Sequence, residues 1–199
     1  MALNFANNNS LSAITTKPSG LSGSSMNLIS TQTASSSSTL SFTSGIDDTY
    51  DEYVFKFIDI SNGSNATFQF NVSIDGGSNY NVAKTTTRFR AEINEDNASD
   101  NGLSYLTGED LAQGTGGQVI ASVRSDADSC CVGTLHLFNP SSTTFVKHFI
   151  SRLHSSNGSY CEDHYNAGYA NTTSAINAIK FFMSAGSIDS GVIKLYGIS

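Results

Sequence analysis

Apolar and polar residues alternate with a period of two along most of the chain after residue 25, the spacing that puts successive side chains on opposite faces of a β-strand. The pattern is cleanest in residues 67–74, where Phe68, Phe70, Val72 and Ile74 alternate with Thr67, Gln69, Asn71 and Ser73. It predicts a strand with one buried face and one wet face. Residues 134–153 carry two such runs. Leu135 and Leu137 alternate with Thr134, His136 and Phe138, and Phe145, Lys147 and Phe149 alternate with Val146, His148 and Ile150. Asn139-Pro140-Ser141-Ser142 between them is turn chemistry, so the stretch predicts a hairpin. Both of its faces carry apolar residues, which places it in the middle of the fold. Residues 53–60 read as a core strand, with Tyr53, Phe55 and Phe57 on one face and Val54, Lys56 and Ile58 on the other.

Elsewhere the pattern is shorter. Residues 27–33 and 39–42 predict polar strands separated by the serine run 35–38, which reads either as a hairpin connection or as a low-complexity linker. Asp75-Gly76-Gly77 tolerates positive φ, and residues 80–90 are expected to return along residues 67–74 as a long hairpin. Residues 92–117 are the least regular and hold six of the seventeen acidic residues; they are expected to form a contact loop with a helical turn around residues 108–112. Strands resume at 118–124, 132–138, 145–153, 160–170, 176–183 and 192–198. Nine to eleven short strands at intervals of about ten residues, with no αβ alternation, predict an all-β fold. The expected architecture is an antiparallel β-sandwich, jelly-roll-like, over residues 26–199.

Residues 1–25 are different material. Pro18 and many Ser, Thr, Asn and Gly surround Leu3, Phe5, Leu11, Ile14 and Leu21. Taken alone the segment is expected to be disordered; alternatively its spaced apolar residues are pegs of an extended arm that grips a neighbouring surface.

Composition narrows the function. Charged residues are 14% of the chain, against roughly a quarter in ordinary soluble domains, so the surface is polar but largely uncharged. A formal net charge of −7 without a basic stripe argues against nucleic acid as a partner. No apolar run approaches the ~18 residues of a bilayer span, so no membrane partner is expected. The start MALNFANNNS lacks a signal peptide's basic and apolar regions, so synthesis in a cytosol is expected. Cys130, Cys131 and Cys161, an odd count with an adjacent pair, are expected to remain reduced thiols.

Candidate chemistry is sparse. Cys161 and His164 have a ligand-like spacing, with His136, His148 or His154 as candidates to approach it in a folded sheet, but no second close pair completes a zinc site. Asp96, Asp100, Asn101 and Gly102 lack the spacing of an EF-hand. Adjacent carboxylates such as Asp47/Asp48 or Glu162/Asp163 point to opposite faces of a strand. No nucleophile elbow, phosphate loop or dinucleotide fingerprint is present. The expectation is a non-enzymatic protein with no catalytic residues, metal or cofactor.

Four phrases carry a resemblance: LISTQTASSSSTLSFTSGIDDTYDEYVFKF, FNVSIDGGSNYNVAKTTTRFRA, GTLHLFNPSSTTFVKHFI and AGYANTTSAINAIKFFMSAGSIDSGVIKLYGI. Together they resemble small β-sandwich structural proteins of tailed bacteriophages of marine bacteria and cyanobacteria. The resemblance implies a virion protein assembled in the host cytoplasm, a homotrimer that contacts the major capsid protein or tail proteins. Head decoration, with the arm gripping the shell, is the expected role. The alternatives are a tail-fibre or baseplate module that attaches to a host glycan through exposed tyrosines such as Tyr105, Tyr160, Tyr165 or Tyr169, and a free carbohydrate-binding adhesin.

Overall fold

Alternation of large apolar side chains with short polar ones builds twelve strands among residues 25–96 and 101–199, which the computed structural model describes. They are β1 (Met26–Thr33), β2 (Leu40–Phe42), β3 (Glu52–Ser61), β4 (Ala66–Ser73), β5 (Lys84–Asn94) and β6 (Gly102–Tyr105). After a 3-10 turn at Thr107–Glu109 come β7 (Gln118–Val123), β8 (Cys131–Phe138), β9 (Lys147–Asn157), β10 (Tyr160–Ala170), β11 (Ala178–Met183) and β12 (Ser190–Ile198). They form two sheets, ordered β1-β12-β3-β8-β9-β10-β5-β6 and β2-β11-β4-β7, and every pairing is antiparallel. The proposed pegs Leu3, Phe5, Leu11, Ile14 and Leu21 lie outside the described residues.

Setting aside β5, β6, β9 and β10 leaves eight strands in the orders β1-β12-β3-β8 and β2-β11-β4-β7. Renumbered along the chain these read 1-8-3-6 and 2-7-4-5, the double Greek key of a jelly roll. The other four strands are two insertions that widen one sheet. β9 and β10 follow β8 directly, and β5 and β6 add to the far side of β10. The hairpin of β8 and β9 therefore occupies the centre of the wide sheet, where its sequence places it.

The core lies between the two sheets, mostly over the eight jelly-roll strands, with Phe149 and Leu153 of β9 and Ala170 of β10 joining it. Phe181 of β11 contacts the rings of Phe42, Phe55, Phe57, Phe68 and Phe70, with centroids 5.1–6.4 Å apart. Phe70 meets Phe149 of β9 edge to face at 5.0 Å. Such pairs add directional attraction to the burial of large apolar surfaces.

The structure corrects several sequence expectations. β4 and β5 are not a hairpin: β4 pairs with β11 and β7 in the narrow sheet, while β5 enters the wide sheet beside β10. Asp75 holds the turn after β4 through Ser73 Oγ at 2.6 Å and the Asn79 amide at 2.8 Å, and from there the chain crosses between sheets. The polar face of β4 is not wet. Asn71 and Ser73 are buried, and Asn71 donates to Thr115 O at 2.9 Å while accepting from Lys84 Nζ at 2.6 Å. The serine run is likewise no hairpin turn. β1 pairs with β12 and β2 with β11, and residues 34–37 bond instead to the segment around Ile188–Gly191. Phe145 sits outside its strand and is exposed, because Ser142 Oγ accepts from the Thr144 and Phe145 amides and prolongs the turn. The expected helical turn is present but starts one residue earlier, at Thr107.

Candidate functional site

The two inserted pairs invert the usual pattern. In β5, Lys84, Thr86 and Arg88 are buried on the face toward the narrow sheet, while Phe89 and Ile93 point outward and are exposed. In β10, Glu162, His164 and Asn166 are buried while Cys161 is exposed. The inner face of β5 and β10 is thus largely polar, and the outer face of β5 carries exposed apolar side chains.

Strand register arranges the inner-facing residues in rows. Ser155, Glu162, Glu92 and Gly102 lie abreast across β9, β10, β5 and β6, and Leu153, His164, Arg90 and Ser104 form the next row. Arg88 Nη2 donates to His164 Nδ1 at 2.8 Å. A guanidinium only donates, so Nδ1 accepts and the neutral ring carries its proton on Nε2, which faces Ser155 Oγ at 2.9 Å and Glu162 Oε2 at 3.3 Å. Arg88 also pairs with Glu109 from the 3-10 turn, which closes over this part of the sheet.

Burial lowers the pKa of Arg88 to about 10 and that of His164 below its ordinary value. Glu162 feels the opposite balance. Burial alone raises its pKa, but hydrogen bonds from His164 and Asn157 and the nearby Arg90 charge outweigh it, and the carboxyl is held below the usual range.

At the end of these rows the inner face opens into a cleft of about 440 Å³, lined by Arg90, Glu92, Asn101, Gly102, Leu103, Ser104, Arg124, Tyr160 and Glu162. Arg90 bridges two carboxylates: Nη2 is 2.5 Å from Glu92 Oε2 and Nη1 is 3.2 Å from Glu162 Oε1. Asn157 Nδ2 donates to Glu162 Oε1 at 2.6 Å, and Arg124 Nε donates to Asn157 Oδ1 at 2.5 Å. Arg90, Glu92, Asn157 and Glu162 stand on paired strands, Arg124 directly follows β7, and the groups brace one another.

The outer face carries a second feature. Arg152, Tyr165, Phe89 and Tyr105 lie abreast across β9, β10, β5 and β6. Phe89 and Tyr165 stack at 4.7 Å with an interplanar angle of 7°, and the Arg152 guanidinium lies 5.1 Å from the Tyr165 ring centre. Leu103, Tyr105, Ile93 and Ile150 around this row are 70%, 60%, 47% and 54% exposed. Beside them Phe138, His148, Ile150, Ala167 and Tyr169 line a shallow apolar groove.

The four tyrosines picked out by sequence therefore separate. Tyr160 lines the inner cleft, whereas Tyr105 and Tyr165 belong to the outer row and Tyr169 borders the outer groove. Cys161 and His164 project from opposite faces of β10, which breaks the zinc-like pair. Among the described residues no three His, Cys, Asp or Glu side chains converge in an arrangement that could hold a metal, and all three cysteines are free thiols. Glu92 and Glu162 were invisible as a pair in the sequence, because only strand register brings them opposite each other. Comparison of the chain with protein-family models, with curated proteins and with solved structures returned no match in any of the three.

Proposed function

We propose that this chain is a non-enzymatic structural protein of a tailed-bacteriophage particle, a head decoration protein that works as a homo-oligomer, trimeric by the resemblance of its sequence phrases. The observation that carries the reading is the inverted inserted half of the wide sheet. Its outward face gathers Ile93, Phe89, Leu103, Tyr105 and Ile150, large apolar side chains that a solitary soluble domain gains nothing by exposing together. An exposed apolar face of this kind suits association with neighbouring copies around a symmetry axis. The jelly-roll scaffold supports the reading only as architecture, since the same fold serves capsid and lectin domains alike.

In this role the protein would stabilise the shell by binding its assembled form, each copy adding to particle stability by mass action. The test is the copy number of the chain in purified particles, measured by quantitative mass spectrometry against the major capsid protein. Decoration requires a ratio near one or a simple fraction such as one third. A few copies per particle would overturn decoration and move the chain to the tail, and absence from particles would leave the free adhesin.

A further inference from the structure

We infer that the inner cleft between β10, β5 and β6 is a binding site for a neutral saccharide. The inference goes beyond the structural role and does not depend on whether the protein sits on the head or the tail.

Three properties of the cleft lead to this ligand class. The first is its size, about 440 Å³, within the roughly 300–1,000 Å³ typical of small-molecule sites. The second is its charge pattern. Its ionisable groups are two guanidinium side chains, Arg90 and Arg124, two carboxylates, Glu92 and Glu162, and the phenol of Tyr160. At neutral pH the four charged groups cancel. A phosphate or other anion entering the cleft would meet both carboxylates. A cation would meet Arg90, which already stands between Glu92 and Glu162. A hydrocarbon ligand would strip water from all of these charges without replacing their hydrogen bonds.

A polyhydroxylated neutral ligand meets none of these penalties. Each sugar hydroxyl both donates and accepts, so neighbouring hydroxyls can give to a carboxylate and receive from a guanidinium, and such charge-assisted bonds are the stronger ones. Tyr160 supplies an aromatic ring for the apolar C–H face of a pyranose, while Asn101 and Ser104 add neutral polar groups at the rim.

The third property is preorganisation. Glu162 is 2% exposed, and its carboxylate is fixed by Asn157 and Arg90 on one oxygen and faces His164 on the other. Arg124 is oriented through Asn157. Polar groups locked on paired strands lose little freedom when a ligand arrives, which is what makes a shallow polar site useful.

The experiment is saturation-transfer NMR on the full chain with the methyl glycosides of glucose, galactose, mannose and N-acetylglucosamine, alongside glucuronic acid and inorganic phosphate. At least one neutral glycoside is expected to receive saturation at millimolar concentration. Glu92→Gln and Arg124→Ala, each checked for an unchanged circular dichroism spectrum, are expected to weaken it by about tenfold, the loss of one charged contact. Ile150→Asp on the outer face, outside the cleft, serves as a folded control and should leave pyranose binding unchanged if the sugar lies on the inner face. Binding of glucuronic acid or phosphate in preference to every neutral glycoside overturns the inference. So does silence from all four glycosides, or a signal that neither cleft variant alters.

Discussion

Lys84 offers the sharpest test of the inverted sheet. Its ammonium is fully buried at the start of β5, donating to Asn71 Oδ1 at 2.6 Å and to Val82 O at 3.2 Å, and among the described residues no carboxylate pairs with it. Burial lowers its pKa from 10.5 to about 8. At about 1.4 kcal/mol per pH unit, that corresponds to a penalty of about 3 kcal/mol for keeping the folded side chain charged. The sign follows from proton counting. Below pH 8 folded and unfolded chains both hold the proton, and the penalty is present in full. Between about pH 8 and 10.5 only the unfolded chain holds it, so stability contributed by this residue rises with pH. Cys131 and Tyr53 work in the opposite direction, because burial raises both of their pKa values. They are common to wild type and to Lys84→Met, so the difference between the two proteins isolates Lys84. At pH 7 the substitution removes both the penalty and two hydrogen bonds worth about 1–3 kcal/mol each when charge-assisted, so the proteins should have similar stability. By pH 10.5 wild type should have gained about 3 kcal/mol relative to the variant. Urea unfolding followed by far-ultraviolet circular dichroism measures this, a suitable probe because the chain has eight tyrosines and no tryptophan. Parallel stability curves for the two proteins between pH 8 and 10.5 would refute a buried, destabilised ammonium.

Phe181→Ala removes the ring that touches five other phenylalanines and should cost about 3–5 kcal/mol in urea unfolding; a loss below about 1 kcal/mol would deny its place at the centre of the core. His164 and Glu162 both have folded pKa values below their ordinary 6.5 and 4.5, so stability should fall as pH drops below 6.5 and again below 4.5. His164→Gln keeps an acceptor for Arg88 but cannot titrate, so its unfolding curve should lack the first of these two losses. Leu103→Asp combined with Ile150→Asp should weaken self-association in sedimentation equilibrium while shifting folding stability by only about 0.5 kcal/mol, since both side chains are exposed in the single chain.

Most strands were legible because period-two alternation is a local property. β10 runs over the expected residues 160–170, and β3, β7, β8 and β12 begin or end within two residues of their expected bounds. Pairing was not legible where it is long-range. Asp75-Gly76-Gly77 has good reversal chemistry, and nothing local reveals that the chain after it changes sheets. The jelly roll pairs β1 with β12 and β2 with β11, so the strands that flank the serine run find partners near the other end of the chain. The cleft was hidden for the same reason. Tyr160 stands out in the sequence only as one of four candidate tyrosines, and Arg90, Glu92, Arg124 and Glu162 come from three separate strands or strand ends and have no common spacing. The buried Arg88 and Lys84 could not be picked out either. KTTTRFRAEIN has a regular alternation whose ordinary reading would bury Phe89 and Ile93, and the structure does the reverse.

That reversal distinguishes the scaffold from what has been added to it. In most of the eight jelly-roll strands the local pattern and the burial agree, as expected of a sequence in which each level supports the same fold, the buried Asn71 and Ser73 of β4 being an exception. In the inserted strands β5 and β10 they disagree, whereas β9 buries Phe149 and Leu153 as its alternation implies. Arg88, His164 and Glu162 are buried at a desolvation cost that apolar residues of similar size would avoid, and Phe89, Leu103, Tyr105 and Ile150 remain in water. Neither arrangement improves the stability of the isolated chain. Local rules broken together in one region, with the rest of the fold consistent, point to a region shaped by binding. The insertion uses both sides of one sheet: an inner face of braced polar groups sized for a small polar ligand, and an outer apolar face suited to another protein surface. Because cross-strand register fixes the two faces relative to each other, a ligand in the cleft and a partner on the outer face would touch opposite sides of β5, β6 and β10.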